Sequence, residues 1–157
     1  NNLGGTTDEQ DQSGVEVCVI SDMSKLRANT ATVYGLRGDA TAPAHQMVDN
    51  ATTCSVQAMS PVHVLTNSPH MHKLGVHAKL ELLQGGMAKM LHDAPFSFDD
   101  QESYPMDNVV VNSGDQFTVT CSYNNTTDAN VSFGQNTEDE MCFNFVLYYP
   151  KDAFNCF

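Results

Sequence analysis

Basic residues are scarce in this chain: seven Lys and Arg stand against nineteen Asp and Glu in 157 residues, a formal net charge of −12. That balance argues against nucleic acid and an anionic membrane surface as partners, and it disfavours a polyanionic substrate. Long apolar runs are missing too. None approaches the roughly 20 residues a bilayer-spanning helix needs, so no membrane-spanning segment is expected. No C-x-x-C pair occurs, and the five cysteines are too dispersed for a zinc knuckle. No segment sustains a helical apolar period for three turns. Asn1 begins neither a signal peptide nor a reading frame, which predicts a processed or trimmed product.

What is present is β-strand chemistry punctuated by turns. Apolar or β-branched runs at Val15–Ile20, Thr32–Leu36, Val56–Thr66, Leu74–Leu83, Met87–Leu91, Met106–Val111, Phe117–Tyr123 and Met141–Tyr149 predict strands. Gly38-Asp39, Asn67-Ser68-Pro69, Gly85-Gly86, Asn112-Ser113-Gly114-Asp115, Asn124-Asn125 and Pro150 read as the turns that end them, with Gly85-Gly86 a strong hairpin signal. The pattern predicts an all-β fold, a single antiparallel jelly-roll-like sandwich over residues 15–157. Residues 1–14, polar and glycine-rich, are expected to form a disordered leader.

Pairing four of the five cysteines (Cys18, Cys54, Cys121, Cys142 and Cys156) as disulfides suits an exported protein and leaves one over. The expected location is secreted, periplasmic or otherwise extracytoplasmic.

The most chemically pointed stretch is Pro69-His70-Met71-His72, taken with Glu140-Met141-Cys142. On a strand the two-residue period would put both imidazoles on one face, about 6.5–7 Å apart along the backbone, where they could converge on one ion. The same parity groups Met141 with Phe143, Phe145 and Leu147, and Cys142 with Asn144 and Val146. His70, His72 and Met141 are therefore candidate metal ligands. A thioether biases such a set toward copper over zinc, because sulfur ligands favour Cu(I). Met71 falls on the opposite face and reads as packed. His77 also falls on the opposite face if the strand continues through Leu83, and His45, His63, His77 and His92 are expected to be structural or solvent-exposed.

These residues carry a resemblance. The run from His63 through His70-Met71-His72-Lys73-Leu74-Gly75 resembles the H-V-x-x-x-x-x-H-x-H-x-L-G segment of the copper type II, ascorbate-dependent monooxygenases, the peptidylglycine α-hydroxylating and dopamine β-type enzymes. Glu140-Met141-Cys142, followed by Tyr148-Tyr149-Pro150, resembles their E-M-C and Y-Y segment, and Gly114-Asp115 with Cys121 and Tyr123 resembles the intervening strand. The similarity covers most of residues 15–156 and corresponds to the C-terminal domain of a two-domain catalytic core. It implies that His70, His72 and Met141 ligate one copper at which dioxygen reacts. It also implies disulfides Cys121–Cys142 and Cys54–Cys156, with Cys18 outside the pattern.

The chain departs from the family at several points. Nothing in it matches the separate domain that holds a second copper. Where amidating members place an arginine for the substrate carboxylate there is Ser68, and their asparagine and tyrosine after the methionine are replaced by Phe143 and Phe145. The expected function is therefore a mononuclear copper oxidoreductase domain of monooxygenase type. It would use dioxygen or peroxide, a small-molecule or peptide substrate, ascorbate or another external reductant, and a redox partner or partner domain. The alternative is an exported copper carrier without turnover.

Overall fold

The computed structural model describes residues 14–19, 21, 22, 24, 31–151 and 153–157. Among these, nine strands follow in order: β1 (Thr32–Arg37), β2 (Gln46–Ala58), β3 (Val62–His70), β4 (Gly75–Gln84), β5 (Met87–Pro95), β6 (Tyr104–Val111), β7 (Gln116–Asn125), β8 (Phe143–Tyr149) and β9 (Phe154–Cys156). They form two antiparallel sheets, β1-β8-β3-β6 and β5-β4-β7-β2-β9, packed as a sandwich. Leu36, Val62, Val64, Val146 and Tyr148 from the first sheet and Leu80, Leu82, Phe117, Val119 and Tyr123 from the second are buried in the shared core. Strand alternation produces this layering. Along β8, Asn144, Val146 and Tyr148 are buried, while Phe143, Phe145, Leu147 and Tyr149 are half-buried on the other face.

Disulfides Cys54–Cys156 and Cys121–Cys142 are formed. The first ties β9 to β2. The second runs from β7 to the residue before β8 and so joins the two sheets. Cys18 is exposed and free.

The structure corrects several expected strands and turns. Residues Val15–Val19 are exposed and in no strand; a β-branched run stays unpaired when no neighbouring strand supplies a ladder. Ile20 and residues 1–13 of the expected leader lie outside the described residues. Val56–Thr66 is two strands, broken at Met59-Ser60-Pro61. β2 starts ten residues earlier than its apolar part, because its polar first half pairs residue by residue with β7. Asn67-Ser68-Pro69 is not a turn. It lies inside β3, paired along its length with β8 and at Asn67 also with β6, with a register shift between Val64 and Thr66. Strand β9 had no apolar alternation to announce it.

Two polar residues break the core pattern. Asn67 and Asn144 are both 0% exposed, and neither side-chain amide has a hydrogen-bond partner. Asn67 pairs with Val146 and Asn144 with Pro69, so the two are diagonal neighbours on the inner face. A buried unsatisfied polar group costs about 1–3 kcal/mol. The N67L/N144L double variant, close in volume, is therefore expected to raise unfolding stability by roughly 2–4 kcal/mol in urea denaturation. A drop in stability would show that the amides are satisfied in solution.

Candidate metal centre

The register of β3 against β8 organises the site. His70, the last residue of β3, pairs with Phe143, the first of β8. Two residues beyond that last pair come His72 on one chain segment and Met141 on the other. Neither residue is in a strand, so the parity expected for the H-x-H pair operates across a strand end. The strand stops because residues 71–74 turn: Gly75 N–H donates to the His72 carbonyl at 3.2 Å. The histidines meet nonetheless, with ring centroids 5.4 Å apart and planes at 86°. Met71, between them, is fully buried, while His72 is 6% exposed and His70 half-buried.

Both rings are fixed through the same nitrogen. His70 Nδ1 lies 2.8 Å from Gln101 Oε1, and the Gln101 amide is oriented by its Nε2, which donates to the Phe98 carbonyl at 3.1 Å. His72 Nδ1 lies 3.0 Å from the Asp139 carbonyl oxygen. Each acceptor requires an N–H at Nδ1, so in each ring the Nε2 lone pair is the one left available. That is the tautomer a metal-binding histidine needs, imposed by partners that are not themselves ligands.

Met141 is held by its backbone. Tyr123 Oη donates to the Met141 carbonyl at 2.9 Å, and burial pushes the Tyr123 phenol far above its ordinary range, with Glu140 and Asp39 adding to the shift, so it remains a donor. Glu140, 0% exposed, accepts the backbone N–H of His72 at 2.9 Å and of Met141 at 3.2 Å on one oxygen, and of Leu74 at 2.7 Å on the other. Sharing one acceptor keeps the His72 and Met141 nitrogens within about 6 Å of each other. Lys73 and Glu138 pair at the surface beside them.

Two glycines back these segments at close range. A Cβ on Gly38 would collide with Cys142 Sγ. One on Gly75 would sit 2.6 Å from Met71 Cβ and 2.9 Å from its sulfur.

The surroundings are aromatic. Phe98 is edge-on to His72 at 6.2 Å and Phe145 is tilted against His70 at 5.9 Å. Phe145 stacks on Phe143 at 5.3 Å, and both lie close over Gly35, where a Cβ would come within 3.1 Å of Phe145. Ser68, two residues before His70, spends its hydroxyl on Ser103 Oγ at 2.6 Å.

The remaining histidines are placed elsewhere. His77 faces Asp93 at 3.3 Å, His45 faces Asp128 at 2.9 Å, and His63 stacks on Tyr149 at 4.5 Å. His92 packs against Tyr104, and burial, then His77, pull its pKa below the usual histidine value. Among the described residues, no three His, Cys, Asp or Glu side chains gather as a metal site.

Residues 28–157 match the family described as copper type II ascorbate-dependent monooxygenase, C-terminal domain. The chain belongs to this family. Within it, the chain is 31% identical over 96 residues to DBH-like monooxygenase protein 1 of Homo sapiens, covering 59% of this chain and 16% of that protein. The same protein of Gallus gallus is 29% identical over 96 residues, covering 59% of this chain and 16% of that one. MOXD1 homolog 1 of Drosophila melanogaster is 28% identical over 94 residues, 57% of this chain and 14% of the relative. The aligned part of this copper monooxygenase domain thus spans about a sixth of the length of those relatives.

Two imidazole nitrogens and a thioether are chemically suited to copper, which accepts nitrogen in both oxidation states and sulfur as Cu(I). The donor set fits the metal that the family name implies. The sequence motifs contain Glu140 and Tyr123 but do not show their roles as hydrogen-bond partners, and they do not single out Gln101 at all. Gln101 sits in a polar loop that resembles any other. Glu140 shows in the sequence as the acidic residue of the E-M-C segment, directly before a candidate ligand.

Proposed function

We propose that this domain holds one copper ion through His70, His72 and Met141 and supports monooxygenase-type oxidation of an apolar C–H substrate with an external reductant. The observation that carries the reading is the pair of Nδ1 hydrogen bonds, which leaves both Nε2 lone pairs free on rings 5.4 Å apart. The chemistry copper supplies when bound is one-electron activation of dioxygen, with ascorbate or another reductant restoring the reduced metal.

The chain's own residues prepare that chemistry. Gln101 and the Asp139 carbonyl hold the imidazoles in one tautomer; Tyr123 and Glu140 hold the Met141 backbone. Phe98 and Phe145 flank the rings and give the site an apolar wall. Phe143 and Phe145 stand where amidating members of the family use an asparagine and a tyrosine, and Ser68 where they use an arginine. These replacements remove the anchors for a peptide carboxylate and favour an uncharged, apolar substrate lying on the aromatic pair. The two disulfides fit an oxidising, extracytoplasmic compartment.

A copper carrier without turnover is the second reading. It is favoured by the donor chemistry itself, since two imidazoles and a thioether also suit Cu(I) that is held for transfer. Oxygen uptake by the copper-loaded protein with ascorbate decides between the two. Uptake that rises with apolar aromatic substrates, and falls with carboxylate-bearing peptides in their place, is expected. Transfer of Cu(I) to an apo-acceptor with no oxygen uptake would replace the enzyme reading with the carrier.

A further inference from the structure

Glu140 engages three backbone groups at the site, yet it is not among the candidate ligands. It is a completely buried acid whose hydrogen bonds come only from neutral backbone N–H groups, those of His72, Leu74 and Met141. The ion pairs among the described residues do not include it. An anion buried among neutral partners is costly and persists where a cation or a specific geometry compensates it. Two imidazoles and a thioether bring no negative charge to the metal they would hold. The charge that is missing from the donor set is thus found one residue away in sequence, bonded to the backbone of two of the three donors.

We infer that Glu140 is both the positioning residue that locks the Met141 segment to the His72 turn and the counter-charge for the bound copper. The inference rests on the copper reading given above. Its positioning role follows from the shared oxygen: His72 N–H and Met141 N–H converge on Oε2, so neither segment can move without breaking a buried bond to the other. Its electrostatic role follows from Coulomb's law. A fixed negative charge favours the doubly charged metal over the singly charged one, and more strongly away from water. When the reductant delivers one electron to convert Cu(II) to Cu(I), Glu140 makes that step less favourable and holds the potential down. It is not consumed.

The test compares the copper-loaded full chain with its E140Q and E140D variants by X-ray absorption and by redox titration of the metal. E140Q keeps the side-chain length but loses the charge and turns one acceptor into a donor facing an N–H group. It is expected to retain copper on the histidines, to lose most of the copper–sulfur signal, and to show a raised midpoint potential. E140D keeps the charge on a shorter arm. It is expected to weaken the sulfur signal while bringing the potential back toward the wild-type value. Unchanged sulfur scattering and potential in E140Q would overturn the inference.

Should E140Q not fold, amide exchange in the metal-free wild-type chain tests the clamp directly. The amides of His72, Leu74 and Met141 are expected to be protected at least about 100-fold, as buried bonded N–H groups are. Unprotected rates would overturn the positioning role. A wild-type chain that binds no copper would remove the copper reading itself, a result distinct from either.

Discussion

Replacing His70 and His72 together by alanine is expected to abolish copper binding, read as metal content after dialysis against a weak chelator. Each ring reaches the site by a separate support, His70 through Gln101 and His72 through the Asp139 carbonyl. Loss of one ring therefore leaves the other correctly oriented, and a single variant is expected to keep residual binding. Even hydrogen-bond partners of ligands are worth about 10–100-fold in metal affinity, so loss of one ring should cost at least about 100-fold. The contrast with Met141→Leu is informative. That variant keeps both imidazoles and is expected to retain copper while losing the sulfur signal in X-ray absorption. A double histidine variant that still held one copper per chain would remove these residues from the site. Because His72 is buried and bonded to the Asp139 carbonyl, folding of the double variant is checked alongside by urea denaturation.

The second large effect concerns the disulfides, which differ in what they hold. Cys54–Cys156 spans a sequence separation of 102 and secures the three-residue strand β9 to β2. In the chain-entropy picture, removing a link of that span costs about 4–5 kcal/mol, comparable to the lower end of the whole stability of a domain, about 5–15 kcal/mol. Cys54→Ala/Cys156→Ala is expected to unfold at far lower urea concentration or to be unfolded at 37 °C. Cys121–Cys142 spans 21, for which the same argument gives about 3 kcal/mol. Its loss should be felt most at Met141, the neighbouring residue, where a Cys121→Ala/Cys142→Ala variant is expected to give a weakened copper–sulfur signal in a folded protein. An undisturbed sulfur signal in that variant would mean the hydrogen bonds from Tyr123 and to Glu140 suffice on their own.

The candidate ligands were legible because their spacing is chemical. Two histidines one residue apart, and a methionine beside a cysteine, stand out against any background. Parity assumes strands where the structure has strand ends. His72 and Met141 lie just beyond the ends of their strands, and what ties their two segments together is the shared Glu140 carboxylate. The two-sheet architecture was equally legible, since apolar alternation and the turn at Gly85-Gly86 are local signals. What depends on distant partners was not. Val15–Val19 has strand composition but no neighbour to pair with, and the polar half of β2 has little strand signal but a complete neighbour in β7. Asn67-Ser68-Pro69 looks like a turn and is held extended by its pairing with β8, joined at Asn67 by β6. Glu140 and Gln101 take their roles from hydrogen bonds that span 66–68 and 31 residues of sequence, which no local pattern encodes.

Gly38 and Gly75 give the site a vulnerability of another sort. Each lies hard against a segment next to a candidate ligand, one against Cys142 and the other against Met71. Neither offers a donor atom, so an inventory of copper-binding chemistry would pass over both. Yet the smallest enlargement, a single methyl group, would be transmitted to Met141 through the disulfide or to both histidines through the residue between them. Drift along a lineage could thus silence the centre while every ligand is retained. In related chains, an intact H-x-H and E-M-C should be trusted as signs of a working metal centre only where these two positions have stayed without a side chain.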